Sequence, residues 1–228
     1  MRPLIKVVLT LFVFFSTMLV VAKATGLLDF GAIEHSLAAM RTEGAPWWVG
    51  AAITGLLFAD LVIAVPTLEI SILGGHVLGF LPGFLHGLAG VTAAGVAGYW
   101  LCRWKGDVLV RRILRDPAER AEMQTTFRRY GVVMIFLSRA VPVLPEVSAC
   151  LSGATGMSFG RFLAAWLTVN VPYMAIASWS GAVSTLERPF PAIAAFIGLT
   201  VVFWCAWWLV RRRSVDAAVR EASVPQRN

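Results

Sequence analysis

The sequence predicts an all-α integral membrane protein: about four full transmembrane helices plus two oppositely oriented re-entrant helical hairpins in an inverted repeat. Three observations lead there. The 228-residue chain is 58% hydrophobic and 14% charged, whereas a soluble domain carries about a quarter charged residues. Several apolar runs reach the roughly 20 residues a helix needs to cross a bilayer. Two apolar stretches are also broken alike, by "VPTLEIS" at Val65–Ser71 and "VPVLPEVS" at Val141–Ser148, each placing a proline and then a glutamate in a hydrocarbon-like segment.

Residues 1–48 read as an N-terminal transmembrane helix and an outer surface segment. The helix, 7–22, follows Arg2 and Lys6; Ala22-Lys23-Ala24 behind it also fits the cleavage site of a removed signal peptide. The surface segment ends at Trp47 and Trp48, whose indoles suit a membrane interface. The core is expected over 49–183. Its first hairpin, 49–82, is broken at Pro66, which lacks a backbone donor and clashes with the preceding turn, and is loosened at Gly74, Gly75 and Gly79. The span 84–102 follows, with Gly90, Ala94 and Gly98 four apart, the small-residue face used for close helix contact in lipid.

Residues 103–129 form a charged segment, expected as a loop. The second hairpin, 131–157, is broken at Pro142 and Pro145 and loosened at Gly153. The span 159–183 holds Asn170 and Pro172, which are expected to kink or hydrogen-bond it; Asn170 is also a candidate substrate contact. Residues 184–210 carry a last transmembrane helix, at 190–210, and 211–228 a basic tail expected to be disordered.

The net charge of +7 would suggest nucleic acid in a soluble protein. Here the arginines lie between apolar runs and set orientation instead. The N-terminus, the 103–129 segment and the tail are basic, so both termini and the central segment are expected in the cytoplasm. Each hairpin must then enter and leave on one side, from opposite faces. Broken helices meeting near the midplane in inverted repeats are a transporter architecture, tolerable only beside protein or a wet cavity. The odd number of cysteines (Cys102, Cys150, Cys205) and their spacing suggest neither a disulfide framework nor a metal site. No cofactor is expected.

Ionisable residues within a bilayer cost from about 3 to over 10 kcal/mol and so mark function by default. Asp60, Glu69, Arg139 and Glu146 are the candidates for substrate and proton binding. Arg139 offers five donors to a phosphate or carboxylate. Three acids against one arginine leave room for a bound proton. The plain alternatives are that Arg139 neutralises Glu69 or Glu146 and staples the hairpins together, and that Asp60 caps broken backbone. His76 and His86, ten apart with no third ligand, suit interfacial hydrogen bonds better than a metal. No HExxH, no GxSxG with a supporting histidine and no GxGD-type aspartate pair is present, which argues against an enzyme.

These motifs resemble the DedA family within the VTT-domain (SNARE-associated Golgi protein) superfamily, over about Ala51–Ala182. In "FLSRAVPVLPEVSACLSGATGMSFGRFLAAW", Arg139, Pro142, Pro145, Gly153, Gly156 and Phe162 fall where the family has an R-x-x-P-x-x-P hairpin and its following helix. Glu69 holds the acidic position of the first hairpin, and Tyr99, Arg103 and Gly106 match the helix after it. The chain departs from the family pattern at Pro66, which stands alone where paired prolines are usual, at Asp60 for Glu followed by Asn, at Gly95 for a frequent Asp and at Cys102 for glycine. The resemblance implies lipid transport at a bacterial cytoplasmic membrane, with undecaprenyl phosphate or a phospholipid as the anionic partner; protons as a partner are expected from the acidic residues alone. The competing expectation is a structural or assembly factor whose hairpins brace a membrane partner.

Overall fold

A computed structural model describes residues 5–13, 17, 46–63, 65–113, 115–139, 144–184, 190, 193–194, 197–199, 201–202 and 205. Their regular structure is helical. The surface segment, most of the last span, the basic tail and Pro142 lie outside the described residues. Residues 5–13 are helical, in line with a first helix there. The bounded helices are α1 (Pro46–Ile63), α2 (Thr67–Leu78), α3 (Phe80–Ile113), α4 (Pro117–Ser138), α5 (Leu144–Ala154) and α6 (Phe159–Val183).

The helix ends follow from local chemistry. Pro66 precedes the first turn of α2, with φ −68° and ψ 92°, and its carbonyl accepts from Ile70 N at 3.2 Å. Gly79 ends α2 at φ 85°, a left-handed conformation that favours glycine, and its N–H reaches the Gly75 carbonyl at 2.9 Å. Asp116 caps α4 by accepting from Ala118 N at 2.9 Å, with proline in the first turn.

Several expectations are corrected. The charged segment is no loop: α3 continues to Ile113 and α4 starts at Pro117. Lys, Arg and Glu are good helix formers, so charge alone does not end a helix. Pro145 sits in the first turn of α5 and starts that helix rather than breaking it. Gly75 and Gly153 lie inside α2 and α5, where they are sites of close helix contact rather than loosened turns. Pro172 lies within α6, and Asn170 hydrogen-bonds along the same helix to the Trp166 carbonyl, as one of the two expected roles has it.

Phe80–Gly106 and Phe159–Val183 are long and apolar enough to cross a membrane. With 12 and 11 residues, α2 and α5 reach only about 18 Å, short of a hydrocarbon core near 30 Å. These short helices are cross-packed, α2 against α6 and α5 against α3. A Cβ on Gly75 would overlap the Ser178 carbonyl, and one on Gly181 would overlap that of Ile72. On the other side, a Cβ on Gly153 would overlap the Tyr99 carbonyl, and one on Gly106 would come within 2.8 Å of Ala154. Gly90 meets α1 at Thr54 and Leu57, so part of the small-residue face does serve close contact.

Two apolar clusters result. One gathers Tyr99, Phe127, Ile135, Val147, Phe162 and Trp166; the other gathers Ile53, Leu57, Ile70, Tyr173 and Met174. Cys102 and Cys150, 48 residues apart, form a disulfide between α3 and α5 with Cα atoms 5.1 Å apart. This corrects the reading from spacing, because the pair is made by helix contact that no sequence interval encodes.

Candidate functional site

The charged residues collect where helices stop. Asp60 lies in the last turn of α1, Arg139 is the C-terminal cap of α4, and Glu146 sits in the first turn of α5. Opposite them α6 presents Trp166, Asn170 and Tyr173, spaced four and three residues apart and so on one helical face.

Asp60 is buried and holds the break after α1 together. Its Oδ1 accepts from Val65 N at 2.6 Å and its Oδ2 from the Thr67 hydroxyl at 2.8 Å. The capping alternative for this residue is therefore realised, and the same carboxyl also faces the cavity. Glu146 lines the same small cavity as Asp60. Glu146 Oε2 is buried with no donor.

Arg139 lies at the seam between the two apolar clusters. Its guanidinium stacks at 4.9 Å from the Tyr173 ring centroid and 5.8 Å from that of Trp166, contacts that favour a planar cation. One Nη donates to Asn170 Oδ1, while Asn170 Nδ2 donates to the Trp166 carbonyl at 2.8 Å. Arg139 closes no ion pair with Asp60 or Glu146 among the described residues. Its Nε–H is buried without a partner among the described residues, as is the indole N–H of Trp166.

Asp60, Val91, Gly95, Arg139, Glu146 and Trp166 line a small cavity of about 10 Å³, room for a single water at most. Gly95 makes this arrangement fit, since a Cβ there would fall 2.5 Å from the Trp166 ring.

Of the residues singled out in the sequence, Asp60, Arg139, Glu146 and Asn170 are brought together. Glu69 is not. It lies on the exposed face of α2 with His76, seven residues on. His76 Nδ1 lies 3.1 Å from the Ser184 carbonyl and His86 Nδ1 3.0 Å from the Thr54 hydroxyl, so both make inter-helix hydrogen bonds. Trp166 and Tyr173 escaped the sequence reading, though their helical spacing from Asn170 points to them.

A helical membrane protein with a charged cluster where its helices stop matches a known family. The VTT domain model covers residues 65–183, and the chain belongs to this family. It is similar to an uncharacterized membrane protein of Synechocystis sp., 24% identical over 201 residues, covering 78% of this chain and 91% of the relative. It is also similar to undecaprenyl phosphate transporter A of Bacillus subtilis, 24% identical over 146 residues, covering 60% of this chain and 74% of that protein. No solved structure gives a significant match.

Proposed function

We propose that this protein is a flippase or scramblase for a phosphate-bearing lipid, with undecaprenyl phosphate and phospholipids as the candidate class, and that proton movement accompanies transport. Membership of the VTT family and the transporter named among its relatives support the transporter reading. The observation that carries the site is Arg139: a half-buried cation whose Nε–H has no partner among the described residues, held by Asn170, Trp166 and Tyr173 beside Asp60 and Glu146. A guanidinium held in place with donors unspent suits a phosphate oxygen. Two carboxyls lining one cavity beside a single arginine leave a place for a proton that the site can give up or take back when an anion arrives or leaves.

In this reading α1–α2 and α4–α5 are the two re-entrant hairpins, and both termini face the cytoplasm. Their helix breaks and the short reach of α2 and α5 support it. The cavity is too small for a phosphate, which enters only when the walls move apart. The role first expected of Glu69 passes to Glu146, which lines the cavity with Asp60.

The test is transport of a fluorescent lipid phosphate in proteoliposomes. Arg139→Ala and Glu146→Gln are expected to lose transport by at least about tenfold while inserting and purifying normally, and Glu69→Gln to lose less. Wild-type rates in Arg139→Ala would remove the site assignment.

A further inference from the structure

The central site has charge but no room in this conformation. A second pocket has both. It lies between α4, the turn joining α5 to α6, and the start of α6, with a volume of about 230 Å³. A water takes roughly 30 Å³, so this space holds a hydrated phosphate group, whereas the central cavity holds none. Two arginines line it, Arg128 from α4 and Arg161 from the first turn of α6, and no acidic residue is among the described lining. Neither arginine has an ion-pair partner among the described residues.

A third arginine stands at the rim. Arg103 Nη1 donates to the Met157 carbonyl at 3.4 Å and lies near Gly156. Ser158 precedes α6 and lines the pocket, and its hydroxyl makes no capping bond, so the first N–H groups of this 25-residue helix have no side-chain cap from it. Gly156, at φ 74°, keeps the floor free of a side chain. The apolar span of α3 ends at Gly106 and that of α6 begins at Phe159, so the pocket sits where both spans meet a membrane surface.

We propose that Arg128, Arg161 and Ser158 form a surface binding site for a phosphate monoester, separate from the central cluster. The chemistry is a dianionic phosphate held by two guanidinium groups, a hydroxyl and helix N–H groups. Such a group reaches the pocket either as a lipid headgroup in the adjoining leaflet or as free phosphate. The site does not depend on the transport reading. If that reading holds, this is where a headgroup waits while the central walls are closed.

The experiment is calorimetric titration of the purified full chain in detergent with two probes, dihexanoyl phosphatidic acid and inorganic phosphate. Removing both arginines in Arg128→Gln/Arg161→Gln is expected to weaken binding about thirtyfold. Ser158→Asp places a negative charge in the pocket while retaining a good capping residue; it is expected to weaken binding with the fold intact, and covers the case in which the double variant misfolds. Removing equal charge in Arg115→Gln/Arg120→Gln is expected to change binding less than threefold. Repeating the titrations in an Arg139→Ala background removes any contribution from the central cluster; the loss caused by the pocket variants is expected to persist there, so loss of transport and loss of this site are read separately.

Binding of phosphatidic acid alone assigns the site to headgroups; equal binding of inorganic phosphate assigns it to the free anion. Wild-type affinity in both pocket variants, or an equal loss in the Arg115/Arg120 control, overturns the proposal and leaves only diffuse surface charge.

Discussion

Asp60 separates structural from functional charge, because it does two jobs at once. Its carboxylate accepts from Val65 N at 2.6 Å and from the Thr67 hydroxyl at 2.8 Å, and it also lines the cavity with Glu146. Asp60→Ala deletes both bonds. A hydrogen bond to a charged group is worth about 1.5–3 kcal/mol net, and a buried donor left unpaired costs about 1–3 kcal/mol. The alanine variant should therefore lose about 3–5 kcal/mol.

Asp60→Asn keeps an oxygen for Val65 N and places an amide N–H against the Thr67 hydroxyl, which can accept as well as donate. Only the assistance from charge is lost, about 1 kcal/mol. At about 2–4 °C per kcal/mol for a chain of this size, unfolding followed by tryptophan fluorescence should fall by roughly 6–20 °C in Asp60→Ala and roughly 2–4 °C in Asp60→Asn. Both variants should lose lipid-phosphate transport. An asparagine variant as unstable as the alanine one would refute the capping geometry. An asparagine variant that transports normally would remove Asp60 from the proton pathway.

Other outcomes follow from contacts already described. Gly181→Val and Gly75→Val drive a side chain into facing backbone that cannot yield, and should cost more than the about 3 kcal/mol typical of overpacking, read as loss of folded yield. Gly160→Ala, with nothing within 4 Å, should be tolerated or stabilise by up to about 1 kcal/mol, read in the same thermal assay. Trp166→Phe removes an N–H with no protein partner, so stability should change by less than about 1 kcal/mol while the apparent affinity for a lipid phosphate falls. Maleimide labelling of the unfolded, unreduced chain should modify Cys205 alone, with Cys102 and Cys150 reacting only after reduction.

The break at Pro66 was legible because proline acts locally, and the two long apolar helices because length and hydropathy suffice. The continuation of α3 to Ile113 was not, since a run of charges was read as a loop although its residues favour helix. The pairing of charges was half legible. Symmetry between the two proline motifs pointed to Glu69 as the equal of Glu146. Yet Leu68, Ser71 and Gly75 at helical spacing mark the packed face of α2 and leave Glu69 on the other side. Asn170 was found by its polarity, whereas Trp166 and Tyr173, apolar by habit, were hidden among other aromatics until α6 was placed against Arg139. The Cys102–Cys150 pair rests on contact between α3 and α5, which only the assembled chain defines.

The crossed arrangement of the short helices has a consequence for biosynthesis. The Ser71 hydroxyl donates to Met174, 103 residues further along the chain. At roughly 5–20 residues per second, a ribosome needs roughly 5–20 s to make the helix against which α2 rests. Throughout that interval a nascent chain carries the Ser71 and Gly75 surface uncovered. Translation arrested before residue 159 should therefore yield an inserted but protease-sensitive intermediate, and release of the arrest should convert it to a resistant form.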